Sequence, residues 1–240
     1  MLNKNCRLQG LKGKEVIKIK LHDSIIKHYL KDVYFITGTA YASKSTMAAM
    51  LAEEYDLILC GENYHLRVTE QMAKPEEFPN LCYFQTMSGW KEFLNRAPEE
   101  YERWIYDAAE EAAEFEIAEL IHLSGGRKVI VDTNIPLPIL HKIADYHQVA
   151  VMLSPQSMSV EHFFDRKDPE KLFLKEQIAK CEDPEKTMKN YLAGIAKINS
   201  KEHYAEYENS GFFTLVREDV KKDTKRETME KLAEHFGLKR

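Results

Sequence analysis

The chain is expected to be an α/β protein of three layers, a parallel sheet held between two sets of helices. Two observations predict this. Five short runs, "VYFIT" (33–37), "LILC" (57–60), "KVIVD" (128–132), "VAVML" (149–153) and "FFTLV" (212–216), are nearly continuous in apolar character. Strands covered on both faces read this way, whereas half-solvated strands alternate. Helical patterns stand between the runs, and strands alternating with helices make parallel β-α-β units. With 240 residues the chain can bury one such domain carrying an insertion.

Taken in order, residues 1–32 fit the plan least and are set apart as an N-terminal extension. Within it "EVIKIKL" (15–21) has the composition of an edge strand. The first run leads into "GTAYASKST" (38–46), after which Met47, Met50, Leu51 and Tyr55 mark one face of a helix. Residues 61–127, between the second and third runs, form a long and mostly helical insertion. From Pro98 to about Ser124 a stripe of Tyr101, Trp104, Ile105, Ala108, Ala112 and Phe115 predicts one long helix, ended by Gly125 and Gly126. "DPEK" occurs at 168–171 and 183–186, and both copies read as helix starts capped by Asp168 and Asp183. A capping box from Thr224 to Glu227 opens the last helix, which runs through Met229, Leu232 and Phe236 to Gly237.

Composition narrows the setting. With 44% apolar and 30% charged residues and no biased tract, the chain has the make-up of a soluble globular protein. A net charge of −5 argues against a nucleic-acid-binding face, which needs a basic stripe. Cys6, Cys60, Cys82 and Cys181 form no C-x-x-C pair, so reduced structural thiols are expected. The first 30 residues are too charged for a signal peptide, and no apolar run approaches about 18 residues. A cytoplasmic protein without a membrane partner is the expectation.

The specific signal is the loop. A phosphate-binding turn follows G-x-x-x-x-G-K-[ST], and Gly38, Lys44 and Ser45 satisfy it while Ser43 occupies the second glycine position. Polyphosphate is multiply charged, and a helix start offers unpaired N–H groups and a favourable dipole. Strand, turn and helix stand here in the required order. Gly38, Thr39, Ala40, Tyr41, Ala42, Ser43, Lys44, Ser45 and Thr46 are therefore the candidate nucleotide-binding residues. Lys44 would reach the β- and γ-phosphates, Ser45 would offer its hydroxyl to Mg²⁺, and Thr46 would lie near the α-phosphate. If position 43 is left-handed, a serine there costs roughly 1–2 kcal/mol. The competing reading is an ordinary helix capped by Ser43.

Loop, strand pattern and spacing over about residues 33–237 resemble the P-loop small-molecule kinases, the nucleoside, nucleotide and shikimate kinase group of the P-loop NTPase superfamily. The loop is the one specific motif in that resemblance. It implies a kinase-like domain over 33–240, a five-stranded parallel sheet in the order 2-3-1-4-5, and ATP with Mg²⁺ as cofactors. The insertion would bind the acceptor, a short lid would span 158–186, and the base would lie near the loop after the fifth strand.

Carried over by position, the resemblance gives Glu62 in "CGENYH" the acceptor hydroxyl, with Asn63 and His65 nearby. Asp132 in "VIVDTN" matches the Walker B carboxylate near Mg²⁺, and Asn134 is a weaker candidate. Arg166 would be the lid arginine that meets the transferred phosphoryl group, with Lys167 and Lys171 as neighbouring cations. The family often has two arginines there. Tyr83, Phe84, Gln85, Trp90 and Phe93 read either as a wall for a ring-shaped acceptor or as core. Arg67, Arg96 and Arg103 are candidates for an anionic acceptor. The implied activity is phosphoryl transfer from ATP to a small molecule, with Glu62 favouring a hydroxyl. The alternatives are a nucleotide-binding regulatory module with little catalysis and transfer of a group other than phosphate.

Overall fold

The computed structural model of the protein describes residues 20–165, 169–217 and 223–239. Most of "EVIKIKL", the lid candidates Arg166 and Lys167, and the helix-cap candidate Asp168 lie outside those residues.

A short helix α1 (Asp23–Tyr29) precedes β1 (Val33–Gly38), α2 (Lys44–Tyr55) and β2 (Ile58–Cys60). The insertion holds α3 (Leu66–Met72), α4 (Tyr83–Thr86), α5 (Trp90–Leu94) and α6 (Pro98–Ser124). Next come β3 (Val129–Asp132), α7 (Leu137–Ile143) and β4 (Val149–Leu153). Four helices follow, α8 (Gln156–Glu161), α9 (Pro169–Ala179), α10 (Pro184–Ile198) and α11 (Lys201–Glu208), before β5 (Phe213–Val216) and α12 (Lys225–His235). The five strands form one sheet in the order β2-β3-β1-β4-β5, every neighbouring pair parallel.

Strand periodicity sorts the core into two layers, since successive side chains point to opposite faces. Val33 and Phe35, Val129 and Val131, and Val149, Val151 and Leu153 turn to one face, covered by α1, α6, α7 and α11. Tyr34 and Ile36, Ile130, and Ala150 and Met152 turn to the other, covered by α2 and α12. The central strands β1, β3 and β4 are covered on both faces, as their continuous apolar runs predict. The edges differ: Leu59 on β2 is 48% exposed and Val216 on β5 is 45% exposed. An edge strand borders helices on fewer sides, so an apolar residue there reaches solvent.

A third core joins Tyr83, Phe93, Leu94, Tyr101, Leu174, Ile178, Tyr191 and Ile195. It ties the first half of α6, with α4 and α5, to α9 and α10. Within the segment expected as a short lid, 158–186, α9 packs on the insertion through Leu174 and Ile178. Of the aromatic set, Tyr83 and Phe93 are buried and Trp90 is packed against the cluster, so these rings are core.

Local signals had mixed outcomes. Gly125 adopts φ 42° and ends α6, and Asp183 accepts from the Lys186 N–H at the head of α10. Thr224 precedes α12 without a side-chain capping bond, so the expected capping box does not form. After β4, α8 ends at Glu161, short of the lid candidate Arg166. The N-terminal region contributes α1, docked through Gln148, whose side-chain amide donates to the Leu30 carbonyl at 2.7 Å and to that of Val33 at 2.8 Å.

Candidate active site

Parallel strands put all their carboxyl ends on one edge, and the candidates converge there. Gly38 closes β1 at φ 125°, a conformation side chains disfavour. A Cβ at that position would lie 2.0 Å from the Met152 carbonyl oxygen, so no other residue fits. The turn that follows is tied to β4. Thr39 N–H donates to Met152 O at 3.0 Å, the Ser154 N–H to Thr39 Oγ1 at 2.9 Å, and the buried Ser154 hydroxyl to the Ala40 carbonyl at 2.6 Å.

Ser43 is left-handed, with φ 68° and ψ 26°, and Tyr41 also has a positive φ of 65°. For a non-glycine residue this costs roughly 1–2 kcal/mol. Ser43 makes no side-chain capping bond to α2, which removes the reading of an ordinary serine-capped helix. Its Oγ instead accepts from the Arg217 guanidinium at 2.8 Å. A hydrogen bond to a charged group contributes about 1.5–3 kcal/mol net, enough to offset the strain. The amides of the first turn of α2 have no helical acceptors and no serine cap, which is the arrangement an anion needs.

Lys44 is half-buried at the start of α2, and its Nζ donates to the Thr39 carbonyl at 3.3 Å. It also stands 3.9 Å from Asp132 Oδ1. Ser45 donates its hydroxyl to Asp132 Oδ2 at 2.7 Å. Asp132 is opposite Ile36 in the β1–β3 register and 2% exposed. Burial pushes its carboxyl above the ordinary carboxylate range, against the opposing pull of Lys44 and of the Ser45 hydrogen bond. Oδ1 is buried without a hydrogen-bond partner among the described residues. A buried carboxylate oxygen facing a lysine and a serine hydroxyl fits a hydrated Mg²⁺, which keeps several waters and takes one or two protein groups plus phosphates. Such a site needs no larger ligand cluster, and among the described residues no group of three or more His, Cys, Asp or Glu gathers to hold a metal.

Glu62 lies beyond β2 on the same edge, exposed, and accepts from the Asn134 side-chain amide at 2.9 Å. Its charge raises the Asp132 carboxyl further, as a lesser contribution than burial. His65 is buried, with Nδ1 unpartnered among the described residues, and burial lowers its pKa. Asn63, Arg67 and Arg103 are exposed. Arg96 is stacked 3.8 Å over the Tyr83 ring and belongs to the third core. Lys171 lies 3.9 Å over the Phe163 ring. The structure therefore brings Lys44, Ser45, Asp132, Glu62 and Asn134 together.

Three residues escaped the sequence reading. Glu116 is 1% exposed and accepts from the Thr133 hydroxyl at 2.7 Å and from Tyr64 at 3.5 Å. It falls four residues after Ala112 on the stripe of α6, and a carboxylate on an apolar stripe is the signal that could have found it. Ser154 and Arg217 carry no such signal, because their partners are more than a hundred residues away. Arg217 also borders a cavity of about 240 Å³ with Ala42, Ser43, Met47, Met152 and Leu215. This cavity opens beside the loop at the end of β5.

Glycine turn, helix start, buried acid on the adjacent strand and sheet order agree. The fold is of the P-loop NTPase type. No family model matches the chain, and no curated protein matches it. Among solved structures it is similar to a shikimate kinase from Bacteroides thetaiotaomicron, 12% identical over 86% of this chain and 98% of that one, with a TM-score of 0.41. An uncharacterized protein from Eubacterium ventriosum matches with the same identity and coverage and a TM-score of 0.37. Similarity at that distance concerns the course of the backbone, and the chemistry has to come from the residues of this chain.

Proposed function

We propose that this P-loop protein is an ATP- and Mg²⁺-dependent phosphotransferase acting on a small molecule, with a hydroxyl as the favoured acceptor. The observation that carries the reading is the meeting of Lys44 and Ser45, at the head of α2, with the buried carboxylate of Asp132. The loop amides and Lys44 would hold the phosphate chain, and Ser45 and Asp132 would hold Mg²⁺. That ion, when bound, neutralises charge developing on the phosphate oxygens. Glu62, oriented by Asn134, would align an acceptor hydroxyl and take its proton. A carboxylate there suits a hydroxyl acceptor, whereas a phosphate acceptor, already anionic, needs arginine clamps instead. Arg166 remains the candidate for charge on the transferred group, and a cytoplasmic setting goes with this chemistry.

The decisive experiment pairs calorimetry with product detection. Lys44→Ala should weaken Mg-ATP binding by a hundredfold or more, about 2.7 kcal/mol, and abolish acceptor-dependent turnover across a panel of nucleosides, sugars and other alcohols. Normal binding and turnover by that variant would remove Lys44 from the site. The serine at position 43 favours a second reading, a nucleotide-binding regulatory module. Tight binding by the wild-type chain with no acceptor-stimulated turnover would select that reading.

A further inference from the structure

We propose that Arg217 is a positioning residue that holds the phosphate turn in shape and so replaces the missing second glycine. The inference rests on the nucleotide reading of the loop, and its test separates the two. A glycine at position 43 would take a left-handed backbone without side-chain strain. Ser43 takes that backbone at φ 68°, and Tyr41, two residues earlier, is left-handed as well. Two strained residues in one turn persist only when their surroundings over-determine them.

Arg217 supplies that constraint from the other side of the cavity. One guanidinium nitrogen donates to Ser43 Oγ at 2.8 Å and approaches the Tyr41 carbonyl at 3.4 Å. Both left-handed residues are therefore gripped by the same side chain. The grip has a firm base, because the Arg217 backbone N–H donates to the Leu153 carbonyl at 2.8 Å and extends the β4–β5 ladder past Val216. Both contacts leave from that one nitrogen, which a rigid, pre-organised guanidinium holds in place with less loss of freedom than a lysine ammonium. On the far side the Tyr41 hydroxyl donates to the His162 carbonyl, beyond the end of α8.

The hydroxyl that would otherwise cap α2 is turned toward Arg217, which leaves the first-turn amides to a ligand. Arg217 thereby acts on the phosphates through the loop, and its place in the cavity wall joins the loop to the β5 end.

A double-mutant cycle decides the matter. Arg217→Ala should weaken Mg-ATP binding about tenfold, the size of one charge-assisted hydrogen bond. Tripolyphosphate, which has no base, should lose the same factor. In a Ser43→Gly background, where the turn needs no grip, Arg217→Ala should change either affinity less than about twofold. Arg217→Lys should recover only part of the loss. The melting temperature should follow the same pattern without ligand: Arg217→Ala lowers it beside Ser43 and barely does so beside glycine.

An equal loss in both backgrounds would overturn the proposal, since Arg217 would then act independently of the turn. A loss for Mg-ATP with none for tripolyphosphate would also overturn it and place Arg217 on the base. If the wild-type chain binds neither probe, the nucleotide reading fails, and melting non-additivity alone decides whether Arg217 grips the turn.

Discussion

Glu116 sits one helical turn past Ala112 on the buried side of α6, and its carboxyl bonds Thr133, the residue after Asp132. Burial pushes its pKa up to about 7, opposed by the hydrogen bonds from Thr133 and Tyr64 and reinforced by the charges of Glu62 and Asp132. The sign of the consequence is fixed by linkage. The unfolded chain releases this proton near 4.5 and the folded chain near 7, so stability present below pH 4.5 is lost as pH rises through 7. At 1.36 kcal/mol per unit the loss is roughly 3 kcal/mol at most. Glu116→Gln keeps an acceptor for Thr133 and removes the titration. Its stability relative to wild type should therefore improve between pH 5 and pH 8, read from urea midpoints at the two values. Parallel curves for the two chains would show that Glu116 is ionised, or protonated, in both states throughout. The residue scale also shows where sequence reading fails: Lys44 and Ser45 were read from spacing and Asp132 from the resemblance, whereas Ser154 and Arg217 act across a hundred residues and more.

Among the elements, the seam between α6 and α10 is tightest at Gly194. A Cβ there would approach Tyr101 Cδ1 to 3.1 Å, within the third core. Two effects compete on substitution. Leucine in place of a mid-helix glycine gains about 0.8 kcal/mol in helix propensity, while overpacking a well-filled core costs about 1–3 kcal/mol. Packing should win, so Gly194→Leu should lower stability by about 1–2 kcal/mol in urea unfolding. A variant as stable as wild type would mean that Tyr101 can move aside freely. Helix α6 was readable because its stripe repeats over many turns and a double glycine ends it. The starts of α9 and α10 were readable from the two "DPEK" peptides, but their docking was not, because Leu174, Ile178, Tyr191 and Ile195 answer to α6 and the insertion rather than to the sheet.

For the whole molecule, a ligand that binds only the folded chain stabilises it by mass action. Mg-ATP at a hundred times its dissociation constant should add about 2.7 kcal/mol. In a chain of this size that corresponds to a rise in melting temperature of roughly 5–10 °C. Chelating the Mg²⁺ should return most of the shift if Ser45 and Asp132 share the ion with the phosphates. A full shift in the presence of chelator would place the binding energy on the amides and Lys44 alone. Among the described residues no helix is long and apolar enough to cross a membrane. Helix α6 contributes to two cores, Tyr101 to the third and Ala113 and Leu120 to the one that covers the sheet.

By itself the sequence determined the strands, the turn at Gly38 and the helix that starts at Lys44, because continuous apolar runs and a spaced motif are local properties of the chain. It also placed Asp132 at the end of a strand, which is visible from the residues around it, while the resemblance alone gave that residue a role. Tertiary structure alone decided that Ser43 is left-handed and bonded to Arg217, that Glu116 is buried beside Thr133, and that Tyr83 and Phe93 of the insertion fill a core while Phe84 stays exposed. Each of these depends on what a distant segment brings to the contact. Burial and hydrogen-bond partnership are properties of pairs in space, and a linear pattern carries only one member of the pair.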